Sequence, residues 1–330
     1  MFHCKPDVLV NAVMATTLSM FACGAALSAD NYPNRPVRMV VPFAPGGASD
    51  FVGRIIQPAM ADLLKQPVVI DNRPGASGNI GVETAVLATP DGYTLLLGNV
   101  GTMGINPVFY TKFKYKPLND LIPITQVVDV PGSLVSHPSL PAKTVKELVA
   151  HMKANPGKLN YGAAAPSSAN TLEALMFLNM SGTKATQIPY KGGAGPATIG
   201  LLGNEVQWLM ATFSSTVNFA KQGRLRMLGI IAPERSPAMP EAPTMREQGF
   251  DMIVGSWQGL FVPKGTPANV VNTLHKVGTA SMKDAAVLKK LGDGGVAAII
   301  SKSPDDFRNF VKSETDRFAK AIKDNNIQTE

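Results

Sequence analysis

Two short stretches hold the residues best suited to bind something. MVVPFAPGGASDFVGRII, residues 39–56, runs from an apolar segment through Gly46-Gly47 into an amphipathic one, with Ala48, Ser49 and Asp50 at its start. GAAAPSSANTLEAL, residues 162–175, sets Ser167, Ser168 and Asn170 ahead of the apolar positions Leu172, Leu175 and Met176. Each reads as a turn leading into a helix start, where main-chain N–H groups have no partner inside the helix and the positive end of its dipole attracts an anion. Gly46-Gly47 lets the chain approach a ligand with no Cβ in the way. Asp50 works against a pure anion site, because a carboxylate in the first turn already takes up the positive end. It either caps the helix or accepts from a ligand amine, hydroxyl or bound water. Asn170 and Glu173 stand at capping-box spacing. Two such starts facing each other would hold a carboxylate without an arginine.

Other chemistries find little support. The first stretch lacks the Lys-Ser/Thr of a phosphate loop and the G-x-G-x-x-G spacing of a dinucleotide fold. His137, His151 and His275 are far apart, without metal-ligand spacing. There is no G-x-S-x-G, and Ser181-Gly182-Thr183-Lys184, an isolated S-x-x-K, reads as a turn. Asp50 is the one candidate base for an enzyme. No cofactor, metal or catalytic residue is expected.

The elements that must position these residues alternate strand and helix. VRMVVPF (37–43), PVVIDN (67–72) and YTLLLGN (93–99), with helices between them, predict a parallel, doubly wound sheet with its glycine-rich turns at the strands' carboxyl ends, where ligands sit. Pro58 should kink or end the first of these helices. A second α/β unit follows, with strand segments near 159–164, 186–193, 205–212 and 224–232. SWQGLFVPKGTP (256–267) then leads into helices alone. Thr266 is expected to cap the next helix, and Ser303 to Asp306 form a capping box before the stripe Phe307, Phe310, Val311, Phe318 and Ile322. Crossings near 124–136 and 254–262 make two lobes with a cleft between them.

The 330 residues are 45% hydrophobic and 17% charged, enough for two cores. Lys5, the apolar run Val8–Leu27 and Ser28-Ala29 read as an export signal cleaved after Ala29. Both cysteines, Cys4 and Cys23, fall within it, which excludes disulfides and thiol chemistry from the mature chain. The formal charge of +7 is spread without basic runs, so nucleic acid is not an expected partner.

Ordered blocks along nearly the whole mature chain resemble the Bug family (Bordetella uptake gene receptors, also called TctC-like). They include YPNRPVRMVVPFAPGGASD (32–50), QPVVIDNRPGASGNIG (66–81), ATPDGYTLLLGN (88–99), IPYKGGAGPA (188–197) and WQGLFVPKGTP (257–267). The resemblance implies a type II periplasmic binding protein fold, two doubly wound α/β lobes joined by two crossover strands. It assigns 1–29 to the signal peptide, 30–127 with 255–330 to lobe 1, and 128–254 to lobe 2. It implies a periplasmic, monomeric receptor that delivers a small organic carboxylate to the permease of a tripartite tricarboxylate transporter. The alternatives are a secreted enzyme using the same cleft and a sensory receptor for a membrane kinase.

On this resemblance the ligand-facing residues are Phe43, Gly46, Gly47, Ala48 and Asp50 in the first loop, and Asn99 after the third strand. From the second lobe come Ala164, Ser167, Ser168, Asn170, Thr171, Tyr190, Lys191, Gly192 and Thr212. The chain departs from the family at Ala163-Ala164-Ala165-Pro166, where Ser and Gly are common, and at Thr171, where relatives carry His. Fewer polar side chains there point to an acid with an apolar, even aromatic, body.

Overall fold

The computed structural model describes residues 32–110, 112, 115–163, 167–191, 193–252, 255–324, 327 and 329. The leader expected at 1–29, the site residues Ala164 and Gly192, and the first residue of the second crossing, Val254, lie outside them. Arg35–Glu330 form one compact unit. No helix among the described residues is long and apolar enough to cross a membrane.

The chain opens with β1 (Val37–Val41), α1 (Ala48–Leu64), β2 (Val68–Asn72), α2 (Asn79–Val86) and β3 (Thr94–Asn99). β1 pairs in parallel with both β2 and β3. Val37, Met39, Val40 and Val41, and Leu95 to Leu97, are fully buried. A continuous apolar run is what a strand covered on both faces requires. A wide helical turn, Gly101–Ile105, runs into a short one, Asn106–Phe109, before the 16-residue strand β4 (Leu121–Ser136).

Then come α3 (Val145–Ala154), β5 (Asn160–Ala163), α4 (Ala169–Ser181), β6 (Thr186–Pro189), α5 (Ala194–Leu202), β7 (Trp208–Thr212), α6 (Phe213–Lys221) and β8 (Arg226–Ile231). β9 (Gly255–Pro263) returns to the first sheet. The chain closes with α7 (Ala268–Ser281), α8 (Ala285–Asp293), β10 (Ala297–Ala298) and α9 (Pro304–Asp324).

The strand order is β2-β1-β3-β9-β4-β7-β5-β6, with β8 and β10 also on β4. The parallel triplets β2-β1-β3 and β6-β5-β7 match the doubly wound expectation. The crossing strands depart from it. β4 and β9 are antiparallel to each other and to their outer neighbours β7 and β3. β4 serves both sheets: Pro131 is still opposite Gly255 of β9, whereas Gly132 is opposite Thr212 of β7 and Ile231 of β8.

Two cores flank this seam. In the first, Trp257 meets Phe307 and Phe310 edge-on, and its indole N–H donates to Glu314. In the second, Tyr161 stacks on Trp208 and Phe177 meets Trp208 edge-on. Phe307, Val311, Phe318 and Ile322 of the α9 stripe are buried and Phe310 is half-buried beside them, and the Asp306 N–H donates to Ser303 Oγ. Pro58 does not end α1, because it sits on the exposed face, where the carbonyl left without an N–H can turn to water. Thr266 is not a cap, since its hydroxyl donates back to the Pro263 carbonyl.

Candidate functional site

A cavity of about 60 Å³ lies where the two sheets face each other beyond the β4 seam. From the first sheet's side it is lined by Phe43, Gly47, Ala48, Ser49, Ser77, Asn99, Val100, Gly101 and Ser256. From the second it is lined by Ser167, Ser168, Ala169, Asn170, Gly193, Ala194 and Thr212. No charged side chain is among these described residues. Instead, helix starts converge: α1 behind Gly47, the Gly101 turn, α4 behind Ser168, α5 behind Gly193 and α6 behind Thr212. Gly47, Gly193 and Thr212 cap their helices with no side-chain hydrogen bond. Only Ser168 caps with its hydroxyl, accepting from the Thr171 N–H at 3.1 Å. The cavity wall therefore combines helix-start main chain and small polar groups with the apolar Phe43, Ala48, Val100, Ala169 and Ala194, and the helix starts turn their positive dipole ends toward it.

The two sides touch. Ser167 Oγ donates to Asn106 Oδ1, and Ser77 shares a 2.6 Å hydrogen bond with Tyr110, which also contacts Ser167. The Phe43 ring packs against the main chain at Gly78 and Gly193. A methyl group placed on Gly195 would stand 3.0 Å from the Pro45 carbonyl and 3.2 Å from Gly47 N, so the first loop and the start of α5 are in close contact. This is a closed cleft, which is why its free volume is small. Two larger grooves, of about 560 and about 570 Å³, lie behind the seam and outside the cleft mouth.

Of the residues singled out from the sequence, Phe43, Gly47, Ala48, Asn99, Ser167, Ser168, Asn170 and Thr212 come together around this cavity. Others do not line it. Gly46, at φ +87°, shapes the turn and faces the outer groove. The Asp50 carboxylate accepts from the Gly46 N–H (3.1 Å), Arg54 Nε (3.0 Å) and Asn72 Nδ2 (3.1 Å). Burial works to raise its pKa, but Arg54, the Gly46 N–H and Asn72 outweigh burial and hold it below the usual carboxylate value. Asp50 fixes the glycine turn rather than facing the cavity.

Thr171 is buried beneath the Ser168 cap. Tyr190 turns outward and donates to Glu205 at 2.8 Å; its phenol is pushed up to about 12 by burial, then by the Glu205 hydrogen bond and charge. Lys191 is exposed. Asn170 does not form a capping box, because Ser168 is the cap; its amide instead donates to Glu173, one turn on, at 3.1 Å.

The sequence reading missed Ser49, Ser77, Val100, Gly101, Ala169, Gly193, Ala194 and Ser256 as lining residues. The glycine-rich stretches containing 77 and 100–101 were visible signals. Ser256, on a crossing strand, had none. Asn99 does more than line the wall: its Oδ1 accepts from the Thr102 N–H at 3.0 Å and shapes the Gly101 turn.

Comparison with known proteins gives the family and the fold. Residues 52–327 match the profile of the tripartite tricarboxylate transporter family receptors. The chain is 34% identical to the protein BugT of Bordetella pertussis, over 95% of this chain and 96% of that one. It is similar to the structure of the periplasmic binding protein BugD, with 32% identity and a TM-score of 0.86 over 91% of this chain and 100% of that one. MatC from Rhodopseudomonas palustris, solved with bound malate, has 31% identity and a TM-score of 0.82 over 88% and 100%. The protein has the α/β fold of these periplasmic binding proteins and belongs to the Bug family of tripartite tricarboxylate transporter receptors.

Proposed function

We propose that this receptor closes on a small organic carboxylate in the cleft between its two sheets and hands it to membrane permease subunits. The observation that carries the reading is the convergence of several helix starts, three of them without side-chain caps, on a cavity whose lining has no charged side chain. An anion is what such a wall lacks, and main-chain N–H groups can supply its hydrogen bonds. A similar protein with bound malate is in keeping with this. The ligand contacts both sides, and so stabilises the closed state by its differential affinity for it.

In this reading lobe 1 comprises 30–127 with 255–330 and lobe 2 comprises 128–254, with the hand-over inside β4 at Pro131 and Gly132. The carboxylate is held by the Gly47–Ser49 and Ser168–Asn170 helix starts, Gly193-Ala194 and Thr212, with Asn99 and Ser167 at the wall. Phe43 and Val100 supply an apolar side for the ligand's body. Export uses the 1–29 segment, with cleavage after Ala29, and the receptor works as a monomer. The enzyme alternative loses support because Asp50, its one candidate base, is engaged by three donors away from the cavity.

The test is a panel of organic acids, amines and sugars in thermal-shift assays, joined to mass spectrometry of whatever gently purified protein releases on denaturation. A ligand present at 100 times its Kd adds about 2.7 kcal/mol of stability. The expected result is a raised Tm with one or a few carboxylic acids. A shift with amines or sugars and none with acids would refute the reading.

A further inference from the structure

Glu173 is a carboxyl group set inside α4, 1% exposed, in a chain whose remaining carboxylates mostly reach water. It faces the seam: a methyl group on Gly132 of β4 would stand 2.7 and 2.9 Å from its two oxygens, and the Ile231 side chain of β8 closes the same spot. β7, packed against α4, brings Trp208–Thr212, none of them titratable. No charge among the described residues offsets it. Burial is the main cause pushing its pKa up to about 8, and the Asn170 hydrogen bond opposes that only in part. Its one hydrogen-bond partner on its own helix is Asn170, which lines the cleft.

The chemistry of the pair depends on the proton. An ionised carboxylate only accepts, so it takes an amide N–H from Asn170. A neutral acid also has an O–H to give, and turning the Asn170 amide over would present its oxygen to that O–H. An amide has a donor edge and an acceptor edge, so the group beneath it decides which edge the cleft meets.

We propose that Glu173 is a positioning residue for ligand capture that acts through Asn170. As a neutral acid it donates to the amide oxygen and leaves an amide N–H for the ligand carboxylate; on losing its proton to solvent it draws that N–H back and sets a negative charge behind the site. The receptor then releases carboxylates as pH rises. This rests on the carboxylate reading above and adds a proton link to it.

Two measurements test it on the full-length mature protein. The first is the Kd for malate, or for the tightest acid of the panel, by calorimetry from about pH 6 to about pH 9.5, for wild type and Glu173→Gln. A charge appearing on the far side of one amide from a bound anion, about 7 Å away at intermediate dielectric, weakens binding about tenfold or more, so the wild-type affinity should fall by that much along a one-proton curve. Glu173→Gln, which keeps a donor and an acceptor in the same volume, should stay flat. The second uses no ligand: the Asn170 side-chain amide resonances of wild type should move with a single titration of the same midpoint, and should not in Glu173→Gln. An equal pH slope in both proteins, or wild-type Asn170 resonances that ignore pH, would overturn the inference. If no acid binds at any pH, the carboxylate reading fails, while the ligand-free titration still decides the Asn170–Glu173 link.

Discussion

Asp50 shows how one side chain can sit at a binding loop without touching what the loop binds. Its three donors come from the turn before it, the helix after it and the end of β2, so it ties together the parts that give the Gly46-Gly47 turn its shape. Its pKa is lowered on folding, so it contributes stability above the unfolded value of about 3.8, and that contribution is lost as pH falls through the folded value. Asp50→Asn is therefore expected to lower stability by about 1–2 kcal/mol at neutral pH, with the gap to wild type closing below about pH 4; urea titrations at both pH values would show it. Arg54 is more than half exposed, so water screens most of the charge attraction and the hydrogen bonds carry the effect. The Asp50–Arg54 pair was legible as an i,i+4 spacing. The choice between cap and ligand contact was not, because the third donor, Asn72, is 22 residues away and becomes a neighbour only when β2 pairs with β1. Asn170 and Glu173 show the same limit. Three residues apart on a helix they must be near each other, but which residue caps the helix depends on where it begins.

At the level of elements, the glycine turns of the first sheet and the α4 start could be read from sequence, because strand, turn and capping residues have local signatures. The start of α5 could not, since Gly193-Ala194-Gly195 carries no polar cue and faces the cleft only through the fold. That start now supplies the sharper test of closure. A Cβ at Gly47 would meet only ordinary contacts, at 3.8 Å or more, whereas one at Gly195 meets the first loop at 3.0 Å. Gly195→Val is expected to prop the cleft open and weaken carboxylate binding about tenfold or more by removing the closed state from the population, without unfolding either sheet. Affinity by calorimetry, with circular dichroism and the radius of gyration from X-ray scattering, would check it. Unchanged affinity would show that the ligand does not need this contact.

For the whole molecule, the parallel triplets and the two cores were legible because buried strands and amphipathic helices announce themselves; the sharing of β4 was not. A mostly apolar strand of 16 residues does not reveal that its partners change midway, at Pro131 and Gly132. That sharing has a consequence for the order in which the protein assembles. The strands beside the second half of β4 all lie within the next hundred or so residues, so that sheet can close soon after its chain is available. The first sheet cannot. β3 and the first half of β4 must wait for β9, and the Trp257–Phe307 core must wait for α9, near the end of the chain. Distant pairings are slow to form, because a long loop must be closed before any contact is gained. Pulse-labelled hydrogen exchange during refolding is expected to protect amides in β5, β7 and β8 before those in β9 and the first half of β4. The half that forms last includes the loop holding Gly47, so a refolding chain should regain ligand binding only with its slowest phase.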